Sequence, residues 1–149
     1  PLQTLLKGEK KEKVTPSHAK TPFSIHVLAI ENDVQNILTL EKIILAQGWS
    51  IDGAQSGKEG LEKLKNNHYD LVLMDIQMPE MDGFEVTRQI RKKEEQAGKN
   101  KKIPIIALSA FYMPGYEKLC LLEGMDGYLE KPLNIEQLLD LIYKVLVKS

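Results

Sequence analysis

Two kinds of apolar pattern alternate along this chain from residue 25 onward. Short continuous apolar runs, such as residues 25–30 and 69–74, are typical of strands buried on both faces of a sheet. Between them lie longer segments whose apolar residues recur at the spacing of an amphipathic helix. Strands are therefore predicted at residues 25–30, 49–54, 69–74, 103–108 and 127–130. Helices are predicted at about residues 37–48, 57–67, 84–91, 114–123 and 135–146.

Strict alternation of strands and helices predicts an α/β fold, in which one parallel sheet carries helices on both faces. The segment at 49–54 is shorter and more polar than the other strands, which favours an edge position. The third helix is expected to end in the charged segment 92–100, and Asn134 is expected to cap the last helix.

Residues 1–23 show no apolar period and are predicted to form a linker or tail, whereas residues 24–149 form the domain. The tail is either a solvated linker or the join to an upstream domain. Because the chain begins at Pro1 without a Met, we expect it to be a piece of a longer protein.

Composition narrows the function classes. The chain has 149 residues, 42% hydrophobic and 28% charged, which suits one globular domain. A formal net charge of −1 gives no reason to expect nucleic-acid or membrane contact by this segment. The lone cysteine, Cys120, excludes an internal disulfide and fits a reducing cytoplasm. A membrane anchor elsewhere in a parent protein stays open.

The third apolar run ends abruptly in a carboxylate, Asp75. Pro79 and Gly83 follow, so the chain turns at once. This pattern puts one Asp at the C-terminal edge of a buried strand, where open α/β sheets carry their sites. A carboxylate there can act as a nucleophile and hold a phosphoryl group.

Other polar side chains follow the neighbouring strands. Glu31 and Asn32 follow the first strand, Ser109 the fourth and Lys131 the fifth. Because the C-terminal ends of parallel strands share one edge, these groups are expected to meet Asp75. Carboxylates suit Mg²⁺, and an ammonium group suits an anionic phosphate oxygen.

These motifs identify a family resemblance. The chain resembles the receiver domain of two-component response regulators, in particular the type fused to hybrid sensor histidine kinases. The resemblance covers about Ser24 to the C-terminus and is carried by residues 27–36, 74–83, 107–110 and 127–132. It implies a five-stranded doubly wound sheet with the flavodoxin-like strand order 2-1-3-4-5.

The resemblance also implies roles for individual residues. Asp75 would be the phosphoacceptor and would take its phosphoryl group from a histidine on a kinase or phosphotransfer domain. Lys131 would pair with the phosphate, and Ser109 and Tyr128 would be the switch residues. The Mg²⁺ ligands would come from Glu31, Asn32, Asp75 and the backbone carbonyl of Gln77. The last helix–strand–helix face, residues 112–147, would contact a partner or a second receiver.

One position departs from the family pattern. The family usually has two adjacent acids after the first strand, but the second place is held here by Asn32, and Asp33 follows it. We therefore predict weaker Mg²⁺ binding than is usual for the family. Asp33 either compensates in part or caps the first helix.

Two other functions remain open. An Asp-nucleophile phosphohydrolase would need a second Asp two residues after Asp75 as general acid, but Gln77 stands there. A degenerate receiver that serves only as a protein-docking module has Asn32 as its sole support. No helix-turn-helix motif follows the domain, which favours a phosphorelay role over direct transcriptional control.

Overall fold

The computed structural model describes residues 24–148, so the predicted tail at 1–23 lies outside the described residues. Five strands alternate with five helices in this part of the chain. The strands are β1 His26–Ile30, β2 Ser50–Ala54, β3 Leu71–Asp75, β4 Ile105–Ser109 and β5 Gly127–Glu130. The helices are α1 Val34–Leu45, α2 Gly57–Asn66, α3 Gly83–Gln96, α4 Tyr116–Leu122 and α5 Ile135–Lys148.

The strands form one parallel sheet in the order β2-β1-β3-β4-β5, which confirms the predicted fold class and the edge position of β2. Because β2 and β3 flank β1 on opposite sides, the order of strands reverses at β1. A crevice opens at such a point, beyond the carboxyl ends of β1 and β3.

The sheet is covered on both faces because successive side chains of a strand point in opposite directions. In β1, Val27 and Ala29 join the core cluster that includes apolar residues of α1 and α5. Leu28 and Ile30 join the cluster on the other face, which includes apolar residues of α3 and α4. The central strands are buried throughout, which explains their unbroken apolar runs.

The sequence analysis predicted that the third helix ends where the charged segment begins, at residue 92, but α3 continues to Gln96. The charged run is helical because Glu94 is buried: its carboxylate accepts hydrogen bonds from Arg91 at 2.9 Å and from the backbone N–H of Ile103 at 2.8 Å. Helix α4 is shorter than predicted, since Gly115 adopts a left-handed φ of 88° just before it.

Side-chain caps define where the helices next to the sheet edge begin. The Asp33 carboxylate accepts a hydrogen bond from the N–H of Gln35 at 2.9 Å, and Asn134 accepts one from Gln137 at 2.9 Å. The cap predicted at Asn134 is therefore present. Within residues 24–148, no helix is both long and apolar enough to cross a bilayer.

Gly83, the first residue of α3, lies against the backbone of the strand that ends in Asp75. A Cβ atom at this position would lie 2.7 Å from the carbonyl oxygen of Asp75 and 2.9 Å from the Cα atom of Ile76. Neither backbone atom can move without shifting the end of β3, so a glycine is required here.

We predict that Gly83→Ala lowers the free energy of unfolding by about 2–3 kcal/mol, because the added methyl overpacks against backbone. Urea denaturation followed by circular dichroism measures this change. The matched control is Gly127→Ala at the first position of β5, where the nearest atoms to the new Cβ belong to the side chain of Leu141, at 3.0 Å or more. Leu141 is partly exposed and its side chain can move, so a loss as large as that of Gly83→Ala would contradict the argument.

Candidate functional site

An ion triad lies at the C-terminal edge of the sheet. The Lys131 ammonium lies 2.8 Å from Glu31 Oε1 and 3.2 Å from Asp75 Oδ1, although the three residues come from the ends of β5, β1 and β3. Both carboxylates are buried, with Glu31 1% and Asp75 2% exposed. The structure thus brings together three of the residues that the sequence analysis placed at this edge.

The triad holds more negative than positive charge. Burial raises the pKa of Asp75 to about 6, and repulsion from Glu31 adds to that rise, while Lys131 opposes it. Burial works against the Lys131 ammonium, but its hydrogen bond to Glu31 and the charges of both carboxylates raise its pKa overall. Because two buried carboxylates share one ammonium group, the ionised triad has a net negative charge that a further cation would neutralise.

The net negative charge of the triad is relevant to the predicted Mg²⁺ site. Glu31 and Asp75 offer the hard oxygen donors that Mg²⁺ prefers, and Lys131 donates a hydrogen bond to Oδ1 of Asp75. Asn32, the residue after Glu31 in the sequence, is exposed. In the described part of the chain, no cluster of three or more His, Cys, Asp or Glu side chains is placed to hold a metal. The donors fit Mg²⁺, with less negative charge than three acids would give.

Asp33 serves as a helix cap in this structure. Its carboxylate bonds the N–H of Gln35 at the start of α1, and its own N–H donates to Glu31 Oε2 at 3.1 Å. The residue therefore orients Glu31 through its backbone, while its charge lies at the N-terminus of α1, where the helix dipole favours it.

Ser109 is fully buried at the end of β4, and its hydroxyl is engaged. The Oγ atom lies 3.0 Å from Gln77 Oε1 and 2.9 Å from the carbonyl oxygen of Phe111, and it accepts a hydrogen bond from the N–H of Phe111 at 3.0 Å. The sequence analysis considered only the backbone carbonyl of Gln77. The contact between its side chain and Ser109 was missed, because no sequence pattern marks it.

Tyr128 is half-buried, and its hydroxyl also donates to the carbonyl oxygen of Phe111, at 3.0 Å. Burial raises the pKa of this phenol to about 12, so it stays protonated at neutral pH. Its ring packs edge-on against Tyr116 with 5.6 Å between ring centroids. Ser109 and Tyr128 thus share one loop carbonyl as an acceptor.

Tyr116 is a further site residue that the sequence analysis missed. It is 7% exposed, and its ring makes edge contacts with Phe84, Phe111 and Tyr128. Its hydroxyl accepts a hydrogen bond from Gln77 Nε2 at 3.3 Å. The only signal available in the sequence was an aromatic residue near the start of a predicted helix. The Lys131–Pro132 peptide bond is cis.

Comparison with known proteins agrees with this geometry. The sequence model of the response regulator receiver domain matches residues 27–143. The chain belongs to this family. The chain is 31% identical, over 98% of its length, to probable histidine kinase 6 of Oryza sativa subsp. japonica, and spans only 17% of that protein.

Two solved structures are also similar. The receiver domain of sensor histidine kinase PA1611 from Pseudomonas aeruginosa, which has a magnesium ion in its active-site cleft, is 29% identical with a TM-score of 0.71; the match covers 85% of this chain and all of that one. The Saccharomyces cerevisiae complex of the phosphotransfer protein Ypd1 with the Ssk1 receiver domain gives 31% identity, a TM-score of 0.72 and coverage of 77% and 83%.

We predict that Asp75→Asn stabilises the receiver domain in the absence of Mg²⁺. The substitution removes one of two buried, mutually repelling carboxylates and should raise the free energy of unfolding by about 1–2 kcal/mol at pH 7.5. Urea denaturation in EDTA measures the change. Asp82→Asn is the matched control, because Asn caps a helix as well as Asp does. A destabilised Asp75→Asn protein would show that Lys131 outweighs the repulsion.

Proposed function

We propose that this receiver domain takes a phosphoryl group onto Asp75 from a phosphohistidine of a kinase or phosphotransfer domain and then changes conformation. The observation that carries the proposal is the buried triad, in which Lys131 bridges Glu31 and Asp75. The likeness to a receiver crystallised with its phosphotransfer protein supports this class of donor.

The proposed transfer of the phosphoryl group to Asp75 involves only a few groups of the protein. A carboxylate oxygen of Asp75 attacks phosphorus, the P–N bond to the donor imidazole breaks, and the imidazole nitrogen keeps the electron pair. The Lys131 ammonium, already beside Asp75 Oδ1, is placed to bond a phosphoryl oxygen. Glu31, Asn32, Asp75 and the backbone carbonyl of Gln77 would hold Mg²⁺, which neutralises charge on the phosphoryl oxygens when bound.

The conformational response would come from Ser109 and Tyr128. Both residues hydrogen-bond the loop after β4. If Ser109 turned to donate to a phosphoryl oxygen, its hydrogen bond to the loop carbonyl of Phe111 would break. The position of the carbonyl that accepts the hydrogen bond from Tyr128 would then change as well. The exposed apolar side chains of Leu119, Leu122 and Val147 make the face at 112–147 a candidate surface for a partner or a second receiver.

The competing functions have less support. The Gln77 amide cannot act as the general acid of a phosphohydrolase, and it is bonded to Ser109. A docking-only role would require that Asp75 accepts no phosphoryl group, although the Lys131 ammonium lies beside its carboxylate. A cytoplasmic location is consistent with the buried free thiol of Cys120.

Incubation with acetyl phosphate and Mg²⁺ is expected to add one phosphoryl group to the wild type, detected by intact-protein mass. Asp75→Ala should abolish the gain, because it removes the nucleophile, whereas Asp82→Asn should retain it. Rapid release of inorganic phosphate without a stable adduct would favour the hydrolase. An unchanged mass would favour the docking module.

Asn32→Asp is expected to raise Mg²⁺ affinity about 5- to 10-fold, since it restores one negative charge at a partly screened position beside Glu31. Isothermal titration calorimetry of the unphosphorylated protein measures this affinity. The control Asn100→Asp adds the same charge to the exposed loop between α3 and β4. Equal affinities for wild type and Asn32→Asp would refute the idea that Asn32 weakens the site.

A further inference from the structure

The side chain of Gln77 connects the loop after Asp75 with two other parts of the receiver domain. Its Oε1 atom lies 3.0 Å from Ser109 Oγ and 3.2 Å from the N–H of Ala110, both at the end of β4. Its Nε2 atom lies 3.3 Å from the hydroxyl of Tyr116, the first residue of α4. One planar amide therefore ties three segments together.

The orientation of this amide follows from its partners. The backbone N–H of Ala110 can only donate, so the atom of Gln77 that faces it must be the oxygen. The NH₂ group then points to Tyr116. Because oxygen and nitrogen belong to one rigid plane, a movement that breaks the contact with Ser109 also disturbs the contact with Tyr116.

Helix α4 is held differently at its two ends. At the C-terminal end, Arg88 pairs with Glu123 at 2.7 Å, and Arg91 Nε donates to the carbonyl oxygen of Gly124 at 2.9 Å. At the N-terminal end, the Gln77 amide is the polar side-chain contact between the helix and the phosphoacceptor loop. The start of α4 is thus the end that Gln77 can release.

Ser109 has a single hydroxyl proton, and the acceptors within its reach include Gln77 Oε1, the carbonyl oxygen of Phe111 and the hydroxyl of Tyr116. To donate to a phosphoryl group on Asp75, the hydroxyl must leave all of them. The interaction with Gln77 therefore opposes the phosphorylated arrangement.

We propose that Gln77 is a positioning residue that latches Ser109 and the start of α4 in the unphosphorylated arrangement, and that the latch must open when Asp75 is phosphorylated. This inference rests on the proposed function. It assigns to the amide the transmission of a change at Ser109 to α4 through Tyr116.

The test uses beryllofluoride with Mg²⁺, which mimics an acyl phosphate on an aspartate. Gln77→Met keeps the length of the side chain but removes all three hydrogen bonds of the amide, those with Ser109, Ala110 and Tyr116. We expect it to raise beryllofluoride affinity about 5-fold, the effect of losing roughly one net hydrogen bond from the competing state. Isothermal titration calorimetry measures the affinity, and Gln137→Met, at an exposed glutamine of α5, is the matched control.

A double-mutant cycle with Tyr116→Phe separates a latch from a general loss of packing. If Gln77 and Tyr116 act through one bond, the double variant should gain no more affinity than Gln77→Met alone. Additive gains, or an unchanged or lower affinity of Gln77→Met, would overturn the proposal. Tyr116→Phe keeps the ring contacts, so it remains a fair test if Gln77→Met folds poorly.

Hydrogen exchange of the ligand-free protein keeps this proposal apart from the proposed function. Gln77→Met should speed exchange of the amides at the start of α4, whether or not Asp75 is ever phosphorylated. Unchanged exchange there would overturn the latch. Failure of acetyl phosphate to modify the wild type would instead overturn the proposed function and leave this measurement meaningful.

Discussion

The receiver domain depends on one ammonium group shared by two buried carboxylates. Lys131 reaches both Glu31 and Asp75, which are almost inaccessible to solvent. Burying charges is unfavourable unless they are paired, and here two acids share one partner. Burial raises the pKa of Asp75, and repulsion from Glu31 adds to that rise, while Lys131 opposes it. A net negative charge favours the approach of a cation, so the feature that costs stability locally is also the one on which the proposed phosphoryl chemistry rests.

The backbone sets this arrangement before any side chain does. Parallel pairing aligns the ends of β1, β3, β4 and β5, and the reversal of strand order at β1 opens space beyond them. The close approach of Gly83 to the carbonyl of Asp75 then fixes where α3 begins. The carboxylate at the last residue of β3 therefore lies beside the ends of the neighbouring strands, where it contacts Lys131.

Sequence reasoning succeeded for the elements whose burial produces a recognisable pattern of apolar residues along the chain. Continuous apolar runs marked the central strands; Asp75 stood out because it ends such a run abruptly, and Lys131 because it follows the predicted fifth strand. It failed where a contact depends on three-dimensional proximity alone. The charged end of α3 looked like a loop, because burial of Glu94 against a distant N–H leaves no periodic signal. The side chain of Gln77 and Tyr116 were missed for the same reason.

The order Asn32-Asp33 changes how charge is distributed around the triad. The Asp33 carboxylate is close in sequence to the metal position, but the N–H of Gln35 and the start of α1 already satisfy it. A charge used to cap a helix is less available to a cation, since moving it would expose the first turn of α1. Asn32 offers only an amide oxygen instead. Lys131 is the cationic side chain that balances Asp75 in this structure. In the proposed function, the same ammonium would also have to bind the incoming phosphoryl group.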